Sequence, residues 1–94
     1  MRLHNKVAII TGAANGIGYA AAERFIEEGA IVFIADFDDN AGNTAANQLG
    51  ENATFVQVDV ANRDSVKKLV ETVIVHAGRI DILVNNAGIT RDAM

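Results

Sequence analysis

Cysteine, proline and tryptophan are all missing from this sequence of 94 residues. The lack of cysteine excludes a disulfide framework and a thiolate metal site, and it fits a reducing compartment. Aromatic residues are scarce at 5 %, so any core must come from the apolar half of the chain, which is rich in Ala, Val and Ile. Basic residues are outnumbered 8 to 12, the net charge is −4 and no basic run exists, so neither nucleic acid nor an anionic membrane is an expected partner. No apolar run approaches the length that crosses a bilayer. The opening "MRLHNKVAII" is too polar, and its apolar part too short, for a signal peptide. What remains is one small soluble domain over residues 1–94, expected in the cytoplasm.

What the chain does contain is a cluster of glycines, Gly12, Gly16 and Gly18, in "ITGAANGIGYA" directly after an apolar run. Glycine weakens helix and strand interiors alike, so three in seven positions must permit something that offsets the cost. The run before them, Val7–Ile10, is largely β-branched and reads as a strand buried on both faces. After the turn, Ile17, Ala21 and Phe25 recur at helical spacing, and Gly29 suits the end of a helix from about Ile17 to Glu28. Ala30–Asp36 predicts a second strand ending in an acid. Asp39–Gly50 predicts a helix with Ala41, Ala45 and Leu49 on one side, weakened by Gly42. Ala53–Val60 predicts a third strand. Asn62–Gly78 carries Val66, Leu69, Val70, Val73 and Ala77 on one helical face, with Asn62 or Asp64 as its cap and Gly78 as its stop. "IDILVNNAG" predicts a fourth strand and its exit turn. The order βαβαβαβ, with a helix in every connection, implies an α/β parallel sheet covered on both faces.

A strand, a tight turn and a helix N-terminus in succession place unpaired backbone N–H groups and a partial positive charge where an anion can settle. In that arrangement Gly12 allows the sharp turn, Gly16 allows backbone to approach a pyrophosphate, and Gly18 allows the helix to press against the neighbouring strand. Asp36 lies eighteen positions after Gly18 at the end of the second predicted strand. That is close to the offset expected for an acid accepting from the ribose hydroxyls of a dinucleotide. Asp38 and Asp39 follow it, with no Arg or Lys in those turns to pair with a 2′-phosphate, so NAD is expected over NADP. His4 and His76 have no partnering ligands, and "DFDDN" lacks calcium-site spacing, so no metal site is expected.

These residues resemble the short-chain dehydrogenase/reductase family. Thr11-Gly12-Ala13-Ala14-Asn15-Gly16-Ile17-Gly18 matches its T-G-x-x-x-G-x-G, Asn85-Asn86-Ala87-Gly88 its N-N-A-G, and Asp59-Val60 its acid-plus-apolar pair after the third strand. "NNAGITRDAM" is further similar to the 3-oxoacyl-acyl-carrier-protein reductase branch. The resemblance runs from about Lys6 to Met94 and implies a Rossmann-type doubly wound parallel sheet, truncated to its first four strands. It implies that Gly12, Asn15, Gly16, Ile17 and Gly18 form the pyrophosphate loop, that Asp36 holds the adenosine ribose, and that Asp59 and Val60 hold the adenine. Asn86, Ala87 and Gly88 would line the ribose region, with Asn85 bracing the sheet. Many NADP-using relatives have a basic residue where Asn15 stands, which this chain lacks.

The family's catalytic Ser and its Tyr and Lys four residues apart all follow the N-N-A-G, and this sequence ends at Met94 before any of them. Its one tyrosine, Tyr19, has Glu23 four residues on. The chain alone is therefore expected to have no catalytic residues and to bind the adenosine half of the cofactor weakly and without turnover, the alternatives being a stand-alone dinucleotide-binding module and a non-binding fragment. In the family's sheet the fourth strand is central, so here "DILV" would be an exposed apolar edge through which copies associate.

Overall fold

Seven elements alternate along residues 2–86, the part of the chain that the computed structural model describes. They are β1 (Val7–Thr11), α1 (Gly16–Glu27), β2 (Ile31–Asp36), α2 (Asp39–Leu49), β3 (Ala53–Gln57), α3 (Arg63–Ala77) and β4 (Ile82–Asn85). All four strands are parallel, in the spatial order β3-β2-β1-β4. The chain steps outward through β2 to β3, then returns by α3 to lay β4 on the other side of β1. The parallel strands are those expected from the helical crossovers, and their order is the Rossmann-type one that the family resemblance implies.

Strand parity decides which helix each side chain meets. Val7, Ile9, Phe33 and Ala35 share one face, where Val58 and the α3 residues Leu69 and Val73 close the core. Ala8, Ile10, Val32 and Ile34 share the other, packed against Ala22, Phe25 and Ile26 of α1, Leu49 of α2 and Phe55 of β3. β1 is buried at every position and β2 at its four central ones, as their unbroken apolar runs require. β3 and β4 are only half-buried.

One boundary and one helix interior differ from the sequence expectation in an informative way. The third strand stops at Gln57, not Val60. Val58 N still donates to Asp36 O at 3.0 Å, but Asp59 N turns to Ser65 Oγ at 2.9 Å and Ala61 N to Asp59 Oδ1 at 3.0 Å. Side-chain acceptors thus take the chain from the sheet into the cap of α3, where Asn62 accepts from Ser65 N at 3.0 Å. In α2, Gly42 is no weak point: the Phe55 ring occupies the space where its Cβ would stand, so the helix needs glycine there to seat on the sheet.

Candidate functional site

The carboxyl ends of β1, β2 and β3 open into one cleft of about 1010 Å³. Gly12, Asn15, Gly16 and Ile17 form one wall, Ala35, Asp36 and Phe37 the second, and Val58, Asp59, Val60 and Ala61 the third. Open α/β sheets bind ligands in the crevice beyond the carboxyl ends of their strands, near the point where strand order reverses, and here that reversal is between β1 and β4.

The three helices begin differently. α2 is capped by the Asp38 carboxylate, which accepts from Ala41 N at 3.0 Å, and α3 by Asn62. α1 starts after Asn15, a residue type that commonly caps, yet the Asn15 side chain makes no capping hydrogen bond and no acid stands in the first turn. The first helical bond is Tyr19 N to Asn15 O at 3.3 Å, so the amides of Gly16, Ile17 and Gly18 precede it and face no side-chain cap. An anion in the cleft would meet the positive end of this helix without displacing a protein group.

Glycine is demanded at two kinds of position around this turn. Gly12 and Gly16 have φ of +66° and +62°, left-handed values that side chains with a Cβ disfavour. Gly16 lines the cleft, and a Cβ on it would have nothing within 4 Å. Gly18 is buried and tightly enclosed: a Cβ there would collide with Gly12 O and stand 2.9 Å from both Ala13 Cα and Asn86 Nδ2. It presses on the turn itself and on Asn86 rather than on a neighbouring strand.

Asp36 presents its carboxylate beneath the loop, where Oδ2 accepts from Ala14 N at 3.1 Å and Oδ1 from Asp38 N at 3.0 Å. Asn85 braces the sheet by accepting from Thr11 Oγ1 at 3.2 Å. Asn86 is buried, its Nδ2 donates to Gly12 O at 3.3 Å, and it is not among the residues that line this cleft. Ala87 and Gly88 lie outside the described residues.

Phe37, Ala35, Val58 and Ala61 also line the cleft and were not singled out from the sequence. Phe37 is 69 % exposed, and its carbonyl accepts from Gln57 Nε2 at 3.1 Å. Its signal was a lone aromatic residue set among acids in "DFDDN". With Ile17 and Val60 it gives the cleft three exposed large apolar side chains. Among the described residues no group of His, Asp and Glu is arranged to hold a metal ion, and no helix is long and apolar enough to cross a membrane.

A family model described as short chain dehydrogenase matches residues 6–94. Tropinone reductase-like 1 of Erythroxylum coca is 51 % identical over 94 % of this chain and 32 % of its own length. The 3-oxoacyl-[acyl-carrier-protein] reductase FabG of Thermotoga maritima is 47 % identical, over 39 % of its length. Among solved structures, 3-ketoacyl-(acyl-carrier-protein) reductase from Brucella melitensis, complexed with NADH, superposes with a TM-score of 0.84 at 38 % identity. That match covers 86 % of this chain and 33 % of the reductase. The chain thus spans about a third of the length of these relatives.

Proposed function

The chain belongs to the short-chain dehydrogenase family, and from that membership we propose that its 94 residues are the NAD(H)-binding portion of an oxidoreductase moving hydride between nicotinamide and a carbonyl or alcohol. The observation that carries the reading is the uncapped start of α1, which opens into the cleft across from the Asp36 carboxylate. The pyrophosphate would take the amides of the Gly16–Gly18 turn, and Asp36 the adenosine ribose. Adenine would lie between the apolar walls that Val60 and Phe37 offer, within reach of Asp59. Ala87 and Gly88 would continue toward the nicotinamide ribose, with Asn86 holding the turn beneath.

NAD is preferred over NADP in this reading. A 2′-phosphate would approach Asp36, Asp38 and Asp39 with no Lys or Arg in those turns to offset the repulsion. The resemblance of "NNAGITRDAM" to 3-oxoacyl-acyl-carrier-protein reductases, and the FabG match, favour a 3-oxoacyl-type carbonyl for the whole oxidoreductase. The 94 residues hold no Tyr-x-x-x-Lys, so by themselves they would bind the dinucleotide without turning it over. A cytoplasmic location agrees with the absence of cysteine.

Titration calorimetry and thermal shift with NAD, NADP and ADP-ribose test the reading. NAD and ADP-ribose should raise the melting temperature in proportion to the logarithm of ligand excess, and NADP should do so less. No heat and no shift at millimolar NAD would overturn it.

A second reading concerns self-association. β4 is bonded only to β1 among the described residues, and Leu83 in it is 64 % exposed. An apolar strand with one open edge is a template for a second copy of itself, so pairing through β4 is the favoured mode of association.

A further inference from the structure

The Asp36 carboxylate is held before any ligand arrives. An ionised carboxylate offers about four acceptor positions on its two oxygens. One on Oδ1 accepts from Asp38 N at 3.0 Å, a bond two residues long that sets the side-chain direction. One on Oδ2 accepts from Ala14 N at 3.1 Å, across 22 residues. One position per oxygen remains, the number a vicinal diol requires.

The Ala14 bond matters because of where the loop is otherwise gripped. Gly12 N donates to Ala35 O at 2.7 Å, Asn86 Nδ2 to Gly12 O at 3.3 Å, and Ala13 is fully buried. All three holds act on the first half of the turn. Beyond Ala13, Asn15, Gly16 and Ile17 are exposed, and the Asn15 side chain caps nothing. Among the described residues, the Ala14–Asp36 bond is the one that ties this second half to another element before α1 begins at Gly16. The amides suited to a phosphate lie immediately after that tie.

Resting on the dinucleotide reading, we propose that Asp36 is a positioning residue for the phosphate loop: by holding Ala14 N it sets the direction of the Gly16 and Ile17 amides, in addition to any contact with the ribose. A preorganised donor loop loses less freedom when it closes on an anion, so affinity for the phosphate half depends on an acid that does not touch it. The sign separates this from simple charge. Removing a carboxylate near an anion site should strengthen anion binding by Coulomb's law alone, whereas loss of the positioning bond weakens it.

The test is Asp36→Ala, with Asp36→Asn as a size-preserving second variant that replaces one of the two oxygens, each of which takes one backbone amide, with an NH2 donor. The probe is inorganic pyrophosphate, which has no ribose, titrated by NMR alongside amide hydrogen exchange of the unliganded chain. Unchanged exchange at Ile9 and Ile34 certifies the core in either variant. The expected result is exchange at Ala14 accelerated about tenfold and pyrophosphate affinity lowered several-fold despite the lost negative charge. Unchanged Ala14 exchange, or pyrophosphate affinity equal to or above that of the unaltered chain, overturns the proposal while leaving the dinucleotide reading standing. Failure of the unaltered chain to bind either pyrophosphate or ADP-ribose overturns both.

Discussion

Asp81 and Val7 hold each other twice: Asp81 Oδ2 accepts the Val7 N–H at 2.8 Å, and Asp81 N donates to Val7 O at 2.8 Å. Arg79 reinforces the pair, its Nε donating to the same Oδ2 at 2.9 Å and its Nη2 to Asn5 O at 2.7 Å. This clamp joins the starts of β1 and β4, at the opposite end of the sheet from the cleft.

The clamp predicts an acid-sensitive fold. The Val7 amide, and next the Arg79 guanidinium, hold the Asp81 carboxyl below the usual carboxylate range. A group whose folded pKa is depressed contributes stability above its unfolded pKa, and the contribution is lost as pH falls through the folded value. The melting temperature should therefore decline as pH falls below about 4. Asp81→Asn should melt lower at neutral pH and decline less in acid, with a residual slope from Glu28, lowered chiefly by the Arg2 amide. Melting curves of both proteins from pH 7 to pH 3 check this, and parallel profiles would refute it.

Gly18→Ala and Gly16→Ala should separate stability from binding. At Gly18 the new methyl meets backbone of the turn, which cannot swing aside, so a cost of about 1–3 kcal/mol is expected in urea denaturation. At Gly16 the methyl meets open space, leaving a left-handed backbone strain of about 1–2 kcal/mol. Its larger effect should fall on affinity for NAD, because Gly16 lines the cleft. Equal losses of stability and equal losses of affinity in the two variants would contradict the assignment.

Gly42→Ala should run against helix propensity. An exposed helix gains about 1 kcal/mol from this change. Here the Cβ would overlap the Phe55 ring, and the clash should outweigh the gain, giving net destabilisation of about 1–2 kcal/mol. Combined with Phe55→Leu, the same substitution should cost less than it does alone, a coupling of at least about 0.5 kcal/mol in a double-mutant cycle. A stabilised single variant would show that the ring moves away freely.

Leu83→Lys places a charge on β4, an edge strand among the described residues. It should leave folding stability within about 0.5 kcal/mol, because the side chain is mostly exposed. Sedimentation velocity should show the unaltered chain associating with concentration and the variant remaining monomeric. A monomeric unaltered chain at all concentrations would remove the β4 pairing.

Much of this molecule is decided by local sequence. Unbroken apolar runs make β1 and β2 central strands, helical spacing makes α1 and α3, and Gly78, with φ of +81°, ends α3 because a side chain there would strain the turn. The glycine turn and the acid closing β2 are equally plain, since each depends on residues within a few positions or one crossover.

Tertiary structure decided what the polar and exposed groups do. Asn15 and Asn62 are the same residue at the same helical position, yet only Asn62 caps, while the turn before α1 is left open to the cleft. Asn86 reaches back 74 residues to Gly12, Phe37 becomes a cleft wall, and Gly42 answers to a ring on another element. Periodicity and turn chemistry act between near neighbours and can be read along the chain. The partner of a hydrogen-bonding side chain, or the space beside a glycine, depends on which element lies opposite, and that exists only once the sheet has assembled.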